Sequence, residues 1–448
     1  MPSTALMPRI VTVFMLLLAG CATHLDRVAP VREAFFAGDL ASAQAAVDAQ
    51  LRKHRGDQDV LKLDQAMVEL AAGRPQSAER LLREVRDRFD HLEQRNLAED
   101  AASLAADDTV RAYPGEDYEK VLIRALLALA NLMAGGEDAA AYALQIADKQ
   151  AQIAARRETE HLDERLYRQA YQQVALGPYI RAMIAEESPL TLDDAVRARV
   201  QVASWAPEFR DAQADLQRAQ YEVPIPPGQG VLYVFALVGR GPVKEEVHEV
   251  ATQAALLVAD RIVTAVSPRG LPPTLAPVPI PKVVTRTPVA EAIAVQVDEH
   301  LVGQTATLVD IGSMAALQQQ ARYPEIVGRA VARRVLKKGA IYAVKEGVQA
   351  APYSPASLAL NAVGIAWEAT ERADLRCWSL LPDQIQVLRT TLPAGEHELR
   401  LAARTRHGQL GAPASTRVRI HEGRNTYVLC QFPDSRLVGQ ILTSSGAP

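Results

Sequence analysis

The chain has 448 residues, 48% of them hydrophobic and 23% charged, with a formal charge of −4. Such a composition fits a globular protein long enough for two or three domains, and argues against a polytopic membrane protein, a disordered chain or a disulfide-stapled miniprotein. The near-neutral total gives no reason to expect a nucleic-acid binder.

Residues 1–20 read as a secretory signal. A single Arg9 precedes an apolar run from Ile10 to Leu18, too short for a bilayer-spanning helix of about 20 residues. Leu18-Ala19-Gly20-Cys21 resembles a bacterial lipobox. That resemblance implies cleavage before Cys21, diacylation of its thiol, and a mature chain tethered through residues 21–27. Several acyl chains, at about 0.8 kcal/mol per buried methylene, make such attachment effectively permanent. By resemblance to Gram-negative lipoprotein sorting, Ala22 in place of Asp implies outer-membrane delivery, anchored in the inner leaflet and facing the periplasm.

Proline and charge then divide the remainder. Residues 21–220 hold 6 prolines, 25 Lys+Arg and 34 Asp+Glu; residues 221–289 alone hold 11 prolines, and residues 221–448 carry 23 Lys+Arg against 19 Asp+Glu. Proline disfavours helix interiors, so a helical half near −9 followed by a Pro-rich, strand-bearing half near +4 is expected.

Within 28–220, Gly38-Asp39-Leu40-Ala41-Ser42-Ala43 recurs as Gly73-Arg74-Pro75-Gln76-Ser77-Ala78, a period of 35. Fixed periods of about 34 mark stacked helix-turn-helix units. Gly38 and Gly73 are expected to end the first helix of each pair, with Ala43 and Ala78 at close helix approaches. Further copies are drawn around Gly136 with Ala141, and around Asp194-Ala195 with Pro207. The resemblance is to tetratricopeptide (TPR) repeats, whose arrays present a concave face to extended peptides or helices. Tyr118 and Tyr142 are placed on that inner face, and Tyr118, Glu119 and Lys120 are candidate partner-binding residues.

From Tyr221 on, Val231–Val238, Ala290–Val297 and Ala306–Ile311 read as strands. Helical spacing runs over 315–350 with an interruption at Pro324, and another helix is expected over 356–373. Terminal hairpins are expected over 385–432, turning at Pro393-Ala394-Gly395 and at Glu422-Gly423-Arg424-Asn425. The fold class expected is a TPR-like all-α array followed by an α+β domain with an antiparallel sheet.

Chemistry-bearing patterns are sparse. His248-Glu249 opens a HExx string, but Thr252 stands where a second zinc ligand is required, and no metal or other cofactor is expected. There is no Gly-x-Ser-x-Gly elbow, and Gly239 to Lys244 lacks a P-loop ending, so it reads as a tight turn. With Cys21 lipidated, Cys377 and Cys430 remain, either as a disulfide in an oxidising periplasm or as two buried thiols. Cys430 shares a strand face with Val428 and Phe432. Arg329, Arg333, Arg334, Lys337 and Lys338 form a candidate basic patch on one helix, for anionic lipid, glycan or an acidic partner.

Several strings occur together: Asp117-Tyr118-Glu119-Lys120-Val121-Leu122; Gly239 to Glu246; and Ala373-Asp374-Leu375-Arg376-Cys377-Trp378 with Leu381-Pro382 and Arg389. In combination and order they resemble a largely uncharacterised family of bacterial outer-membrane lipoproteins. The resemblance implies a TPR-like half and a β-rich half, in proteins that accompany penicillin-binding-protein activator lipoproteins, and it brings no catalytic residue. The function expected is therefore a non-enzymatic scaffold with an envelope protein partner. The alternative is a regulator or peptidoglycan-binding accessory factor of cell-wall synthesis.

Overall fold

A computed structural model of the chain describes residues 23–99, 112–158, 163–221, 225–266, 277–347, 354 and 371–444. Helices come first and an α+β arrangement follows. Cys21 and the signal segment lie outside the described residues.

Helices α1 (His24–Ala37) and α2 (Leu40–Lys53) form one antiparallel pair, and α3 (Gln58–Ala71) and α4 (Pro75–Glu99) the next. The 35-residue echo has a physical basis in their turns. Gly38 (φ 85°) and Gly73 (φ 81°) take left-handed conformations open to glycine at little cost. Each donates to a carbonyl three residues back, and the following residue donates five back: Gly38 to Phe35 and Asp39 to Ala34, Gly73 to Leu70 and Arg74 to Glu69. Ala43 and Ala78 are both fully buried.

The third copy slips out of phase. Between α5 (Asp117–Met133) and α6 (Ala139–Glu158) the left-handed residue is Gly135 rather than Gly136. The longer turn places Ala139 and Ala143 in the core and leaves Ala141 exposed. Then come α7 (Glu164–Ala170), α8 (Leu176–Ala185), α9 (Leu192–Trp205) and α10 (Ala212–Tyr221). Ala195 is buried, and α9 ends two residues before Pro207.

The strands build two main sheets. β1 (Gln229–Val238) sits in the centre of a five-stranded sheet, ordered β11–β10–β1–β7–β6. The other strands of that sheet are β6 (Ala306–Asp310), β7 (Gln384–Pro393), β10 (Asn425–Phe432) and β11 (Leu442–Thr443), of which β7 and β10 flank β1. A four-stranded sheet is ordered β5–β4–β8–β9, from β4 (Ala292–Val297), β5 (His300–Gln304), β8 (Gly395–Thr405) and β9 (Gly408–Ile420). β2 (Val243–Glu249) and β3 (Val278–Val284) form a separate ribbon; β3 carries Pro279 and Pro281, which a two-stranded ribbon tolerates. Helix α11 (Gln253–Val266) packs with α12 (Ile311–Gly347), which runs through Pro324 without the expected interruption.

Pairing is antiparallel except between β1 and β10, which run parallel from Val231↔Asn425 to Val238↔Phe432. The expected hairpin across Glu422–Asn425 is therefore not one. The turn carries the chain from the edge of the four-stranded sheet to the side of β1. Of the helix expected over 356–373, residues 356–370 lie outside the described residues, and Glu371–Ala373 are not helical.

β1 explains the layering. Leu232, Val234, Ala236 and Val238 face Ile293, Val295, Leu399 and Leu401 of the second sheet. The alternate residues Val231, Tyr233, Phe235 and Leu237 join the apolar cluster of the helices. A strand buried on both faces reads as a continuous apolar run, which is the sequence of β1. Helices, five-stranded sheet and four-stranded sheet thus form three layers, and one apolar core crosses the composition break at residue 221.

Candidate functional site

Every residue of α5 is buried. A helix apolar all round is expected in such a place, yet α5 also carries Asp117, Glu119, Lys120 and Arg124. Buried charges need partners, and theirs come from both halves of the chain.

Glu119, 0% exposed, accepts from the Tyr113 hydroxyl at 2.7 Å, the Glu116 N–H at 2.9 Å and the Trp378 N–H at 2.7 Å. Burial, reinforced by Glu116, still pushes its carboxyl above the usual range. Asp117 is held far below that range. Burial alone would raise it, but Arg157, Arg322 and Lys120 outweigh burial. Arg157 Nε lies 2.9 Å away, and the Tyr171 hydroxyl donates at 3.1 Å. Glu116 contacts Lys244 of β2 and lies 3.1 Å from Arg322 of α12; against the effect of burial they bring its carboxyl down to about 2.

The charges continue in alternation. Lys120 meets Glu93 at 2.7 Å, Lys149 meets Glu93 at 2.5 Å and Asp90 at 2.6 Å, and Arg124 meets Asp90 at 2.6 Å. On the other side, Arg157 and Arg322 each lie 3.4 Å from Glu325. A ladder of opposite charges thus runs from the outer surface of α4 and α6, through α5, to the C-terminal half.

The three sequence strings that occur together meet on this seam. Lys244 binds Glu116, Glu246 accepts from the Ala373 N–H at 2.8 Å, Trp378 donates to Glu119, and Gly241 donates to the Leu381 carbonyl at 2.8 Å. Tyr118, Glu119 and Lys120 are therefore not a partner-binding surface. They are 3%, 0% and 4% exposed, and Tyr142 at 4% is equally enclosed. The chain's own sheet packs against this helix, because α5 and β1 share one core.

A second buried network was not signalled by any motif. Arg199, fully buried, reaches Glu186 at 2.8 Å and Asp215 at 3.0 Å and stacks 4.5 Å over the Tyr179 ring. Tyr233 of β1 donates to Glu186 at 3.0 Å, which ties α8, α9 and α10 to the sheet.

Both remaining cysteines are buried free thiols, so the disulfide does not form. Cys430 faces the core between the two sheets. Cys377 lies on the helical side among Lys244, Glu119 and Asp64, its thiol pushed by burial up to about 12. Of the candidate basic patch, the described arginines are unequally accessible, Arg329 being exposed. Arg334 is buried against Glu371 at 2.9 Å and the Pro277 carbonyl at 2.7 Å, Arg329 pairs with Glu325 at 2.8 Å, and Arg333 is half-buried. The Lys337 and Lys338 side chains lie outside the described residues. His248 and Glu249 fall on β2, where helical ligand spacing does not apply. Among the described residues, no group of three or more His, Cys, Asp or Glu is arranged for a metal, and no helix is long and apolar enough to cross a membrane.

Among the described residues, an open concavity lies on the outside of the helices. A groove of about 540 Å³ between α4 and α6 is lined by Asp90, Glu93, Lys149, Gln152 and Arg156. It continues past Gln152 into a smaller one reaching Arg86 and Asp148.

The chain matches no protein-family model, no curated protein and no solved structure.

Proposed function

We propose that this protein is a lipid-anchored lipoprotein of the outer membrane, facing the periplasm, and acts as a non-enzymatic scaffold whose TPR-like helical half binds an envelope protein. One observation supports the reading: a mixed-charge groove between α4 and α6 stays open on the outside of the helices, while the sheet packs against α5. Its alternating Asp90, Lys149, Glu93 and Arg156 suit a partner segment of mixed charge. Leu144, 47% exposed, stands on the same α6 stripe as Asp148 and Gln152 and offers an apolar contact at the rim.

The test is photocrosslinking in intact envelopes from Leu144 and Gln152, with Gln409 on β9 as a distant control. The same envelope protein captured from both groove positions and not from Gln409 supports the reading. Capture at none, with the protein instead sedimenting with purified sacculi, favours the peptidoglycan-binding alternative.

A further inference from the structure

Two arginines from separate segments, Arg32 and Arg240, meet at Phe36, the penultimate residue of α1, and the charge of a third, Arg286, reaches Arg32. Arg32 Cζ lies 5.8 Å and Arg240 Cζ 4.2 Å from the Phe36 ring centroid, so the two charges are no more than about 10 Å apart. Arg286, exposed in the loop after β3, is close enough for its charge, like that of Arg240, to act on Arg32. Burial first, and then these two cations, lower the affinity of Arg32 for its proton.

Elsewhere the molecule treats enclosed cations differently. Among the described residues the buried arginines are Arg124, Arg199, Arg334 and Arg376, and each contacts a carboxylate. Arg240 follows suit with Asp434 at 2.5 Å. Arg32 is half-buried, and among the described residues neither it nor Arg286 contacts a carboxylate. The acid that acts on Arg32 is Asp64. Its two oxygens are already taken by the Ser379 hydroxyl at 2.8 Å and the Leu380 N–H at 2.9 Å. Cys377, also near, is a neutral thiol.

A half-buried guanidinium with no carboxylate of its own, beside one paired and one unpaired arginine, gains stability when an anion joins it. Its planar fork of donors matches an oxyanion bidentately, phosphate above all. We propose that Arg32, Arg240 and Arg286 form a binding site for a phosphate group, with Arg32 giving the bidentate contact and Arg286 the outer charge. Two sources share this chemistry. One is an anionic lipid headgroup, which rests on the anchor proposed at Cys21, eleven residues before Arg32. The other is a soluble phosphate ester, which does not rest on it.

The test uses the full chain carrying Cys21→Ser, so that no acyl chain contributes. Thermal unfolding is followed with inorganic phosphate or glycerol 3-phosphate, against chloride at equal ionic strength. Sedimentation with phosphatidylglycerol vesicles is compared with phosphatidylcholine vesicles. Binding is expected in at least one phosphate arm and is expected to weaken about tenfold or more in Arg32→Gln and in Arg286→Gln. Without phosphate, Arg32→Gln is expected to melt no lower than the parent, whereas a structural role for Arg32 would lower its Tm. Binding to phosphatidylglycerol alone assigns the lipid source, and a response to glycerol 3-phosphate assigns the soluble one. No binding in any arm, a response that chloride reproduces, or an Arg32→Gln variant that responds like the parent overturns the proposal.

Discussion

The backbone N–H of Trp378 donates to the side chain of Glu119 at 2.7 Å, across 259 positions of sequence. Glu119 takes its other two donors from Tyr113 and Glu116, so a single carboxylate joins the start of α5 to the segment leading into β7. Helical and sheet halves should consequently unfold as one unit.

Glu119→Ala leaves three enclosed donors without an acceptor. Each unsatisfied group costs about 1–3 kcal/mol, partly offset by no longer burying a carboxylate, so a loss of about 3 kcal/mol is expected. Urea denaturation followed by tryptophan fluorescence reads it as a lower midpoint with an unchanged slope. The parent should show one transition in fluorescence and in far-UV circular dichroism. Two separate transitions, or a variant within about 0.5 kcal/mol of the parent, would contradict the role given to this residue.

Asp64 should make stability fall with rising pH. Burial raises its pKa from 3.8 to about 6, against the pull of its hydrogen bonds from Ser379 and Leu380. The unfolded chain therefore releases this proton first, and folding loses free energy as pH climbs from about 4 to about 6. At about 1.4 kcal/mol per unit the full effect is about 3 kcal/mol. Asp64→Asn keeps an acceptor for the Leu380 N–H and removes the titration. Its stability relative to the parent is expected to improve by about 2–3 kcal/mol between pH 4 and pH 7, measured by urea melts at each pH. Glu116 has the opposite sign. With its folded value near 2 it contributes stability above about 4.5 that is lost as pH falls toward 2.

Cys377 and Cys430 should behave as inert core groups. They are 0% and 1% exposed, and burial raises both thiols. Thiolate is the reactive form, so a maleimide reagent is expected to label neither in the folded protein and both in denaturant. Reductant should leave the Tm unchanged. A mass two hydrogens short of the free-thiol value would show that the pair had closed after all.

Much of this architecture was legible because local rules decided it. The turn glycines Gly38 and Gly73 and the apolar run of β1 follow from backbone freedom and side-chain period. What was not legible depended on sequence separation. Nothing local to Tyr118, Glu119 and Lys120 distinguishes a charged residue that meets a partner from one that meets Trp378 or Glu93 of the same chain. The parallel pairing of β10 with β1 was hidden for the same reason, since Glu422-Gly423-Arg424-Asn425 has the residues of a hairpin turn. The three motif strings did carry information, but of mutual packing: they meet at Gly241–Leu381, Glu246–Ala373 and Glu119–Trp378.

Two glycines with similar dihedrals allow backbone strain and close approach to be separated. Gly439 (φ 76°) and Gly423 (φ 69°) both adopt the left-handed region, which costs a substituted L-residue about 1–2 kcal/mol. A Cβ at Gly423 would stand in open space. At Gly439 it would lie 2.0 Å from the Ala71 carbonyl oxygen, at the end of α3, where the next residue, Gln440, donates its N–H to that same oxygen at 2.9 Å. Backbone on both sides cannot yield as a flexible side chain would, so Gly439→Ala must also break this bond. Gly423→Ala is expected to lose about 1 kcal/mol and Gly439→Ala about 3–4 kcal/mol, from strain, the lost hydrogen bond and separation of the C-terminal segment from α3. Paired denaturation curves measure the difference. Equal losses would mean that the contact between the C-terminal segment and the second helical pair contributes nothing to holding the halves together.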